Sequence, residues 1–226
     1  MSKIAVVTDT NSGITREEAK KLGVYLLPMP FIVDGTEYFE GVTCTYEHFF
    51  EMLEAGAEVS TSQPSPESLT AMWEEALATH DSVVHIPMSS ALSGSCDTAK
   101  ALAAEYNGRV CVVDNKRISI TQRESVLDAL TLAEKGLTAA EICVQLENTA
   151  YNASIYLAVN TLELLKKSGR VTPAGAALAT LLGLKPVLQI QGGKLDAYRK
   201  ARGMRPAMQT MIGGLKKPWQ TPKKRC

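Results

Sequence analysis

Two short stretches hold the side chains best suited to chemistry. The first runs Ile86-Pro87-Met88-Ser89-Ser90-Ala91-Leu92-Ser93-Gly94-Ser95 and carries four serine hydroxyls, Ser95 included, and one glycine. Ser82 to Ile86 before it reads as a buried strand. Ser95 to Tyr106 after it reads as a helix, with Ala99, Leu102 and Ala103 on one face. A loop closing on a helix N-terminus gathers free backbone amides and the positive end of the helix dipole, so it is suited to an anion. The plainer alternative is that Ser93 or Ser95 only caps the helix. The second stretch is Ser60-Thr61-Ser62-Gln63-Pro64-Ser65-Pro66. Its prolines fix the backbone that presents Thr61 and Ser62, and Pro66 opens a helix to Ala78. Two such loops at one end of a parallel sheet would face one crevice and hold a carboxylate or phosphate through neutral donors. Two unrelated caps are the competing reading.

The elements that must position these loops alternate. Lys3 to Thr8 is an apolar strand, followed by the polar turn Asp9 to Gly13 and a helix capped by Thr15, with Glu18 completing a capping box. Val24 to Val33 reads as one edge or bulged strand broken by Pro28 and Pro30. Asp34-Gly35 is a hairpin signal. Thr45 to Glu54 reads as a helix with Phe49, Met52 and Leu53 inward. Arg109 to Asp114 is a strand, Asn115 to Gly136 a long helix, and Leu137 to Asn148 another helix. This alternation predicts an α/β fold built on a parallel sheet covered on both faces, spanning residues 1–152.

A second, partial α/β domain is expected over residues 153–226. Ser154 to Val159 and Leu184 to Gln191 read as strands, Gly192-Gly193 as a turn, and Lys194 to Tyr198 as the return. Thr161 to Lys167 is a short helix, and an alanine-rich helix runs from Thr172 to Leu182. Arg199-Lys200-Ala201-Arg202, with Arg205 and Arg170, is suited to a phosphate-bearing partner or simply to a solvated face. Lys216 to Cys226 shows no periodicity and reads as a disordered tail.

Composition narrows the function classes. The 226 residues carry 24 Lys and Arg against 24 Asp and Glu, and the zero net charge gives no signal for nucleic acid or a membrane surface. No apolar run approaches the ~20 residues of a membrane span, and no signal peptide opens the chain. Five cysteines without CxxC spacing argue against a zinc site or a disulfide framework and for a cytoplasmic protein with reduced thiols. No metal site and no cofactor are called for.

Taken in order, Val7-Thr8-Asp9-Thr10, Thr61-Ser62-Gln63-Pro64-Ser65, Ser89-Ser90-Ala91-Leu92-Ser93-Gly94-Ser95, Ser168-Gly169-Arg170, Leu184-Lys185-Pro186-Val187-Leu188 and Lys200-Ala201-Arg202 resemble the segments of the DegV family. Characterised members of that family are the fatty-acid-binding subunits of bacterial fatty acid kinase. The resemblance implies two α/β domains with a long-chain fatty acid enclosed in the cleft between them. It implies that Thr61 and Ser93 hydrogen-bond the carboxylate while Ser62 and Gly94 shape that site. Arg170 and Arg202 match the surface that docks the kinase catalytic subunit, where the acid becomes an acyl-phosphate for phospholipid synthesis. ATP chemistry would then belong to the partner, since no GxxxxGK[ST] loop is present here. Two departures stand out. Thr121 and Arg123 replace common glycines, which bears on tunnel shape. The family also continues to a His-x-Gly-x-Gly segment, whereas no histidine follows His85; the resemblance therefore implies a C-terminally shortened second domain.

Two other functions use the same residues. A phosphate or small-anion binder would need only the two loops. A serine hydrolase on Ser93 would need His48, His80 or His85 as base, and the Gly-x-Ser-x-Gly elbow is absent.

Overall fold

The computed structural model describes residues 2–177 and 184–216. The expected continuation of the alanine-rich helix to Leu182 and the tail from Lys217 fall outside them. The chain forms two compact units, Met1–Ala150 and Tyr151–Cys226.

In the first unit, β1 (Ile4–Asp9), β2 (Tyr25–Leu27), β6 (Ser82–Ile86) and β7 (Val110–Val112) make a parallel sheet in the order β2-β1-β6-β7. Strand alternation sends successive side chains to opposite faces. Val6, Val84 and Ile86 pack with Val126, Ala129, Ile142 and Leu146 on one face. Ala5, Val7 and Val83 pack with Leu69, Trp73, Ala76, Ala99 and Ala103 on the other. The first face is covered by α1 (Arg16–Leu22), α5 (Ser119–Glu134) and α6 (Ala139–Asn148), the second by α3 (Pro66–Leu77) and α4 (Ser95–Ala103). Thr15 and Thr138 each cap their helices with a complete capping box, to Glu18 and Glu141.

Two of the expected elements are cut differently. Val24 to Val33 is two strands in two sheets: β2 ends at Leu27, and β3 (Pro30–Val33) joins a separate antiparallel sheet, β4-β3-β5, with β4 (Thr36–Phe39) and β5 (Val59–Thr61). Pro28 and Pro30 lack the amides to continue one ladder. Asp34 and Gly35 both take positive φ, as a two-residue hairpin requires. The long helix starts at Ser119, not Asn115, because Lys116 takes a left-handed φ of +56° and Ile118 is extended; the Asn115 side chain instead donates to the Leu146 carbonyl at 2.5 Å and accepts from Ser125 of the helix. On α2 (Tyr46–Glu54), Phe49, Met52 and Leu53 are only half-buried.

In the second unit, β8 (Ile155–Ala158), β9 (Leu184–Ile190) and β10 (Asp196–Arg202) form an antiparallel sheet in the order β10-β9-β8. The return strand runs to Arg202 rather than stopping at Tyr198, because Ala201 is buried and its neighbours pair along β9. After the short helices α7 (Glu163–Lys167) and α8 (Pro173–Ala177), α9 (Met204–Leu215) packs on this sheet through Ala207 and Met211. Gly214 lets it approach: a methyl group there would lie 3.1 Å from the Tyr198 hydroxyl and 3.2 Å from the Tyr156 ring.

His85 lies in the first core, 2% exposed, edge-on to Trp73 at 5.6 Å, with neither ring nitrogen hydrogen-bonded. Burial pushes its pKa down from 6.5 to about 3. A depressed histidine pKa means that the unfolded chain binds one more proton below pH 6.5, so stability falls as pH falls through that window. Urea unfolding at pH 7, 6 and 5 should show a His85-dependent loss of up to about 1.4 kcal/mol per pH unit below 6.5. His85→Leu should remove that slope, and an unchanged slope in the variant would refute the assignment.

Candidate functional site

The loop after β6 is held from below by one buried carboxylate. Asp9 ends β1; its Oδ2 accepts the Met88 amide at 2.8 Å, and its Oδ1 accepts the Asn11 amide at 3.0 Å and Gln122 Nε2 at 3.1 Å. Burial pushes the Asp9 carboxyl above the usual carboxylate range, against the opposing pull of these donors. Gln122, on α5, also donates to Thr8 Oγ1 and to the Ile86 carbonyl, both at 3.1 Å.

The loop's flank rests on the segment following β7. Ser89 donates its amide to the Arg117 carbonyl at 2.8 Å, and Ser90 Oγ donates to Asp114 Oδ2 at 2.6 Å. Lys116, at φ +56°, donates to Ser90 Oγ at 2.5 Å and pairs with Asp114. Burial acts to raise the Asp114 carboxyl, but Lys116 and Ser90 outweigh it and hold it below its ordinary value. Asp114 in turn donates its amide to Glu147 on α6 at 3.0 Å. Arg117 is buried and donates to Ser125 Oγ and to the Thr149 carbonyl.

Beyond Ser90 the chain folds back, Ser93 donating its amide to the Ser89 carbonyl at 3.2 Å. Gly94, not Ser93 or Ser95, is the residue that caps α4, and it makes no side-chain cap bond. Ser93 Oγ accepts the Ser95 amide at 3.2 Å and remains half-buried. The next two amides of α4 have no carbonyl within the helix to accept them. That end of α4 carries the positive pole of the helix dipole.

The second hydroxyl loop reaches this place from an unexpected direction. Thr61 is the last residue of β5, so its loop leaves the antiparallel sheet and not the parallel one as expected. Val59 is β-branched and pairs with Val33, while Asp34 ties the strand by accepting the Glu58 amide at 2.8 Å. Thr61 faces solvent, Ser62 is half-buried, and Pro64 is buried beneath them. Gln63 then closes the gap: its Nε2 donates to Thr98 on α4 at 3.2 Å, and a methyl group on Gly94 would lie 3.1 Å from its Oε1. Both loops therefore adjoin the start of α4. A cavity of about 10 Å³, lined among others by Asp9, Pro64, His85 and Ser95, lies beneath them.

The chemistry offered is neutral. Thr61, Ser62 and Ser93 present hydroxyls beside helix amides, and Lys116, on the loop's flank, is engaged by Asp114. None of the three histidines hydrogen-bonds Ser93: His48 meets Glu51, His80 meets Thr79 and Ala76, and His85 is enclosed. Among the described residues no group of three or more His, Cys, Asp or Glu could hold a metal, and no helix is long and apolar enough to cross a membrane.

In the second unit, Arg170 sits beside Leu195, whose amide donates to its carbonyl at 3.0 Å, and its Nη1 donates to the Ser168 carbonyl at 2.5 Å. Arg202 is exposed at the far end of β10. Seven residues of strand separate Leu195 from Arg202, roughly 20 Å, so the two arginines do not converge on one point. Sequence reasoning gave Asp9 only a turn and passed over Gln122 and Asp114. A lone carboxylate ending an apolar strand was the available signal.

The family model described as "Uncharacterised protein, DegV family" matches residues 3–225. A DegV domain-containing protein of Deinococcus radiodurans is 35% identical over 206 residues, covering 91% of this chain and 73% of its own. Among solved structures, a DegV family protein from Thermus thermophilus, described by its fatty acid binding, superposes with a TM-score of 0.86 at 34% identity, covering 94% of this chain and 76% of the other. A stearic acid-binding protein from Eubacterium ventriosum gives 0.83 at 26% identity, covering 95% and 75%. With the parallel sheet, the two hydroxyl loops and a family match over nearly its whole length, the chain belongs to the DegV family.

Proposed function

We propose that this protein binds a long-chain fatty acid and presents its carboxylate to a kinase catalytic subunit, which phosphorylates it to an acyl-phosphate. The observation that supports the reading is the Gln63 contact, which brings the loop carrying Thr61 and Ser62 to Gly94 and Thr98 at the start of α4, next in the chain to Ser93. Hydroxyls and helix amides suit a carboxylate, and fatty acids are what the related solved proteins are described as binding. Each buried CH₂ of the acyl chain adds ~0.8 kcal/mol, so a long tail supplies most of the affinity and the head group can be held by uncharged donors. The protein itself then performs no reaction, and a cytoplasmic site of action follows from that role.

Docking is assigned to the basic second unit. Residues 151–226 carry 14 Lys and Arg against 2 Asp and Glu, whereas residues 1–150 carry 10 against 22. Arg170 and Arg202, well apart on that unit, fit a broad protein interface better than a single phosphate site.

Native mass spectrometry with fatty acid analysis of the purified protein should find a bound long-chain acid. Thr61→Ala with Ser93→Ala should weaken binding tenfold or more, at about 1.5 kcal/mol or more for each hydrogen bond to a charged group. A folded protein that refuses added fatty acid overturns the reading, and retention of inorganic phosphate instead would favour the anion binder. Gly94→Ala isolates the loop contact. Its φ of −70° tolerates alanine, so stability should change by no more than about 1 kcal/mol. The methyl group must displace Gln63, and isothermal titration should show a several-fold loss of fatty acid affinity.

A further inference from the structure

Cys111 and Cys143 stand apart from the other thiols. Cys44 and Cys96 are buried, whereas Cys111 and Cys143 are both half-buried. Cys111 is the middle residue of β7, at the edge of the parallel sheet, and points to the face opposite its neighbours Val110 and Val112. Cys143 lies on α6, which packs over that edge, and the two side chains meet on one hydrophobic cluster. The Cys111 thiol donates to the Gly108 carbonyl at 3.9 Å, and Cys143 is the neighbour that most affects its titration.

We infer that Cys111 and Cys143 are a thiol redox site that closes into a reversible intramolecular disulfide when hydrogen peroxide is the oxidant. Cys143 draws the Cys111 thiol down from 9 to about 7, which makes Cys111 the attacking sulfur, and the same pairing pushes Cys143 up. The Cys111 thiolate attacks the peroxide. An S–O bond forms, the O–O bond breaks, and the departing hydroxide takes a proton to become water. Cys143 sulfur then attacks the Cys111 sulfenic acid, the S–S bond forms, the S–O bond breaks, and the thiol proton leaves with the hydroxide as a second water. Two thiols lose two electrons and the peroxide is reduced to water.

The location gives the cross-link a consequence. β7 runs directly into Asp114, which holds Ser90, and Glu147 follows Cys143 by one helical turn and accepts the Asp114 amide. A disulfide would pin together the two elements that support the hydroxyl loop.

Hydrogen peroxide titration of the full chain, followed by non-reducing peptide mapping, tests this. The expected product is a Cys111–Cys143 peptide pair about 2 Da lighter than the two thiols, formed before Cys44 or Cys96 is modified and reversed by a dithiol reductant. In Cys143→Ser the Cys111 sulfenic acid should persist long enough to be trapped by dimedone. Wild-type oxidation that gives Cys111 sulfinic acid without the linked peptide, or linkage through Cys226 or a buried cysteine instead, overturns the inference whether or not the variant folds.

Discussion

The geometry of the hydroxyl loop depends on the buried carboxylate of Asp9. Backbone leaving a parallel strand has no ladder to fix it, and a loop of four serines has many competing local hydrogen bonds. Asp9 removes that freedom by accepting from Met88, the second residue beyond β6, while Asn11 and Gln122 hold the carboxylate from two other sides. The cost is a desolvated acid group, offset by three donors. One residue thus ties the ends of β1 and β6 to α5, and Ser89 to Ser93 start from a fixed point. The segment after β7 completes the frame through Ser89 and Ser90.

A site fixed in this way can afford weak individual donors. Lys116 is close enough to bond Ser90, yet Asp114 takes up its charge. A free lysine at the loop would add Coulombic attraction for any anion and blur the distinction between a fatty acid and a phosphate. On the proposed function, neutral hydroxyls and amides leave discrimination to the acyl chain, where burial scales with length, and leave the carboxylate oxygens without a salt bridge to break before phosphoryl transfer.

The sequence made the frame legible more fully than the tie points. Apolar runs at strand length, the capping box at Thr15 and the Asp34-Gly35 turn state their structures locally, and the parallel sheet followed from their alternation. What was missed depends on partners far along the chain. β5 is three residues long and has meaning only beside β3, so Thr61 read as loop. Asp9 and Gln122 are 113 residues apart, and nothing local to either marks the bond. The helix start at Ser119 was misplaced because Lys116 turns left-handed and Ile118 is extended, backbone choices that periodicity does not record. Gly94 took the cap expected of a serine, which left Ser93 half-exposed at the helix end.

Net charge was the most misleading single number. A sum of zero gives no signal for nucleic acid or a membrane surface, yet it is made of an acidic stretch to residue 150 and a basic one after it. Opposite charges separated along a chain do not cancel for a partner that meets only one of them, since screening in physiological salt confines each field to ~8 Å. The exposed Arg199, Lys200 and Arg202 of β10 therefore act as a basic surface whatever the first unit carries. The two hydroxyl loops thus lie in the acidic unit and the arginines of β10 in the basic one, where a partner of opposite charge would be met mainly through electrostatics.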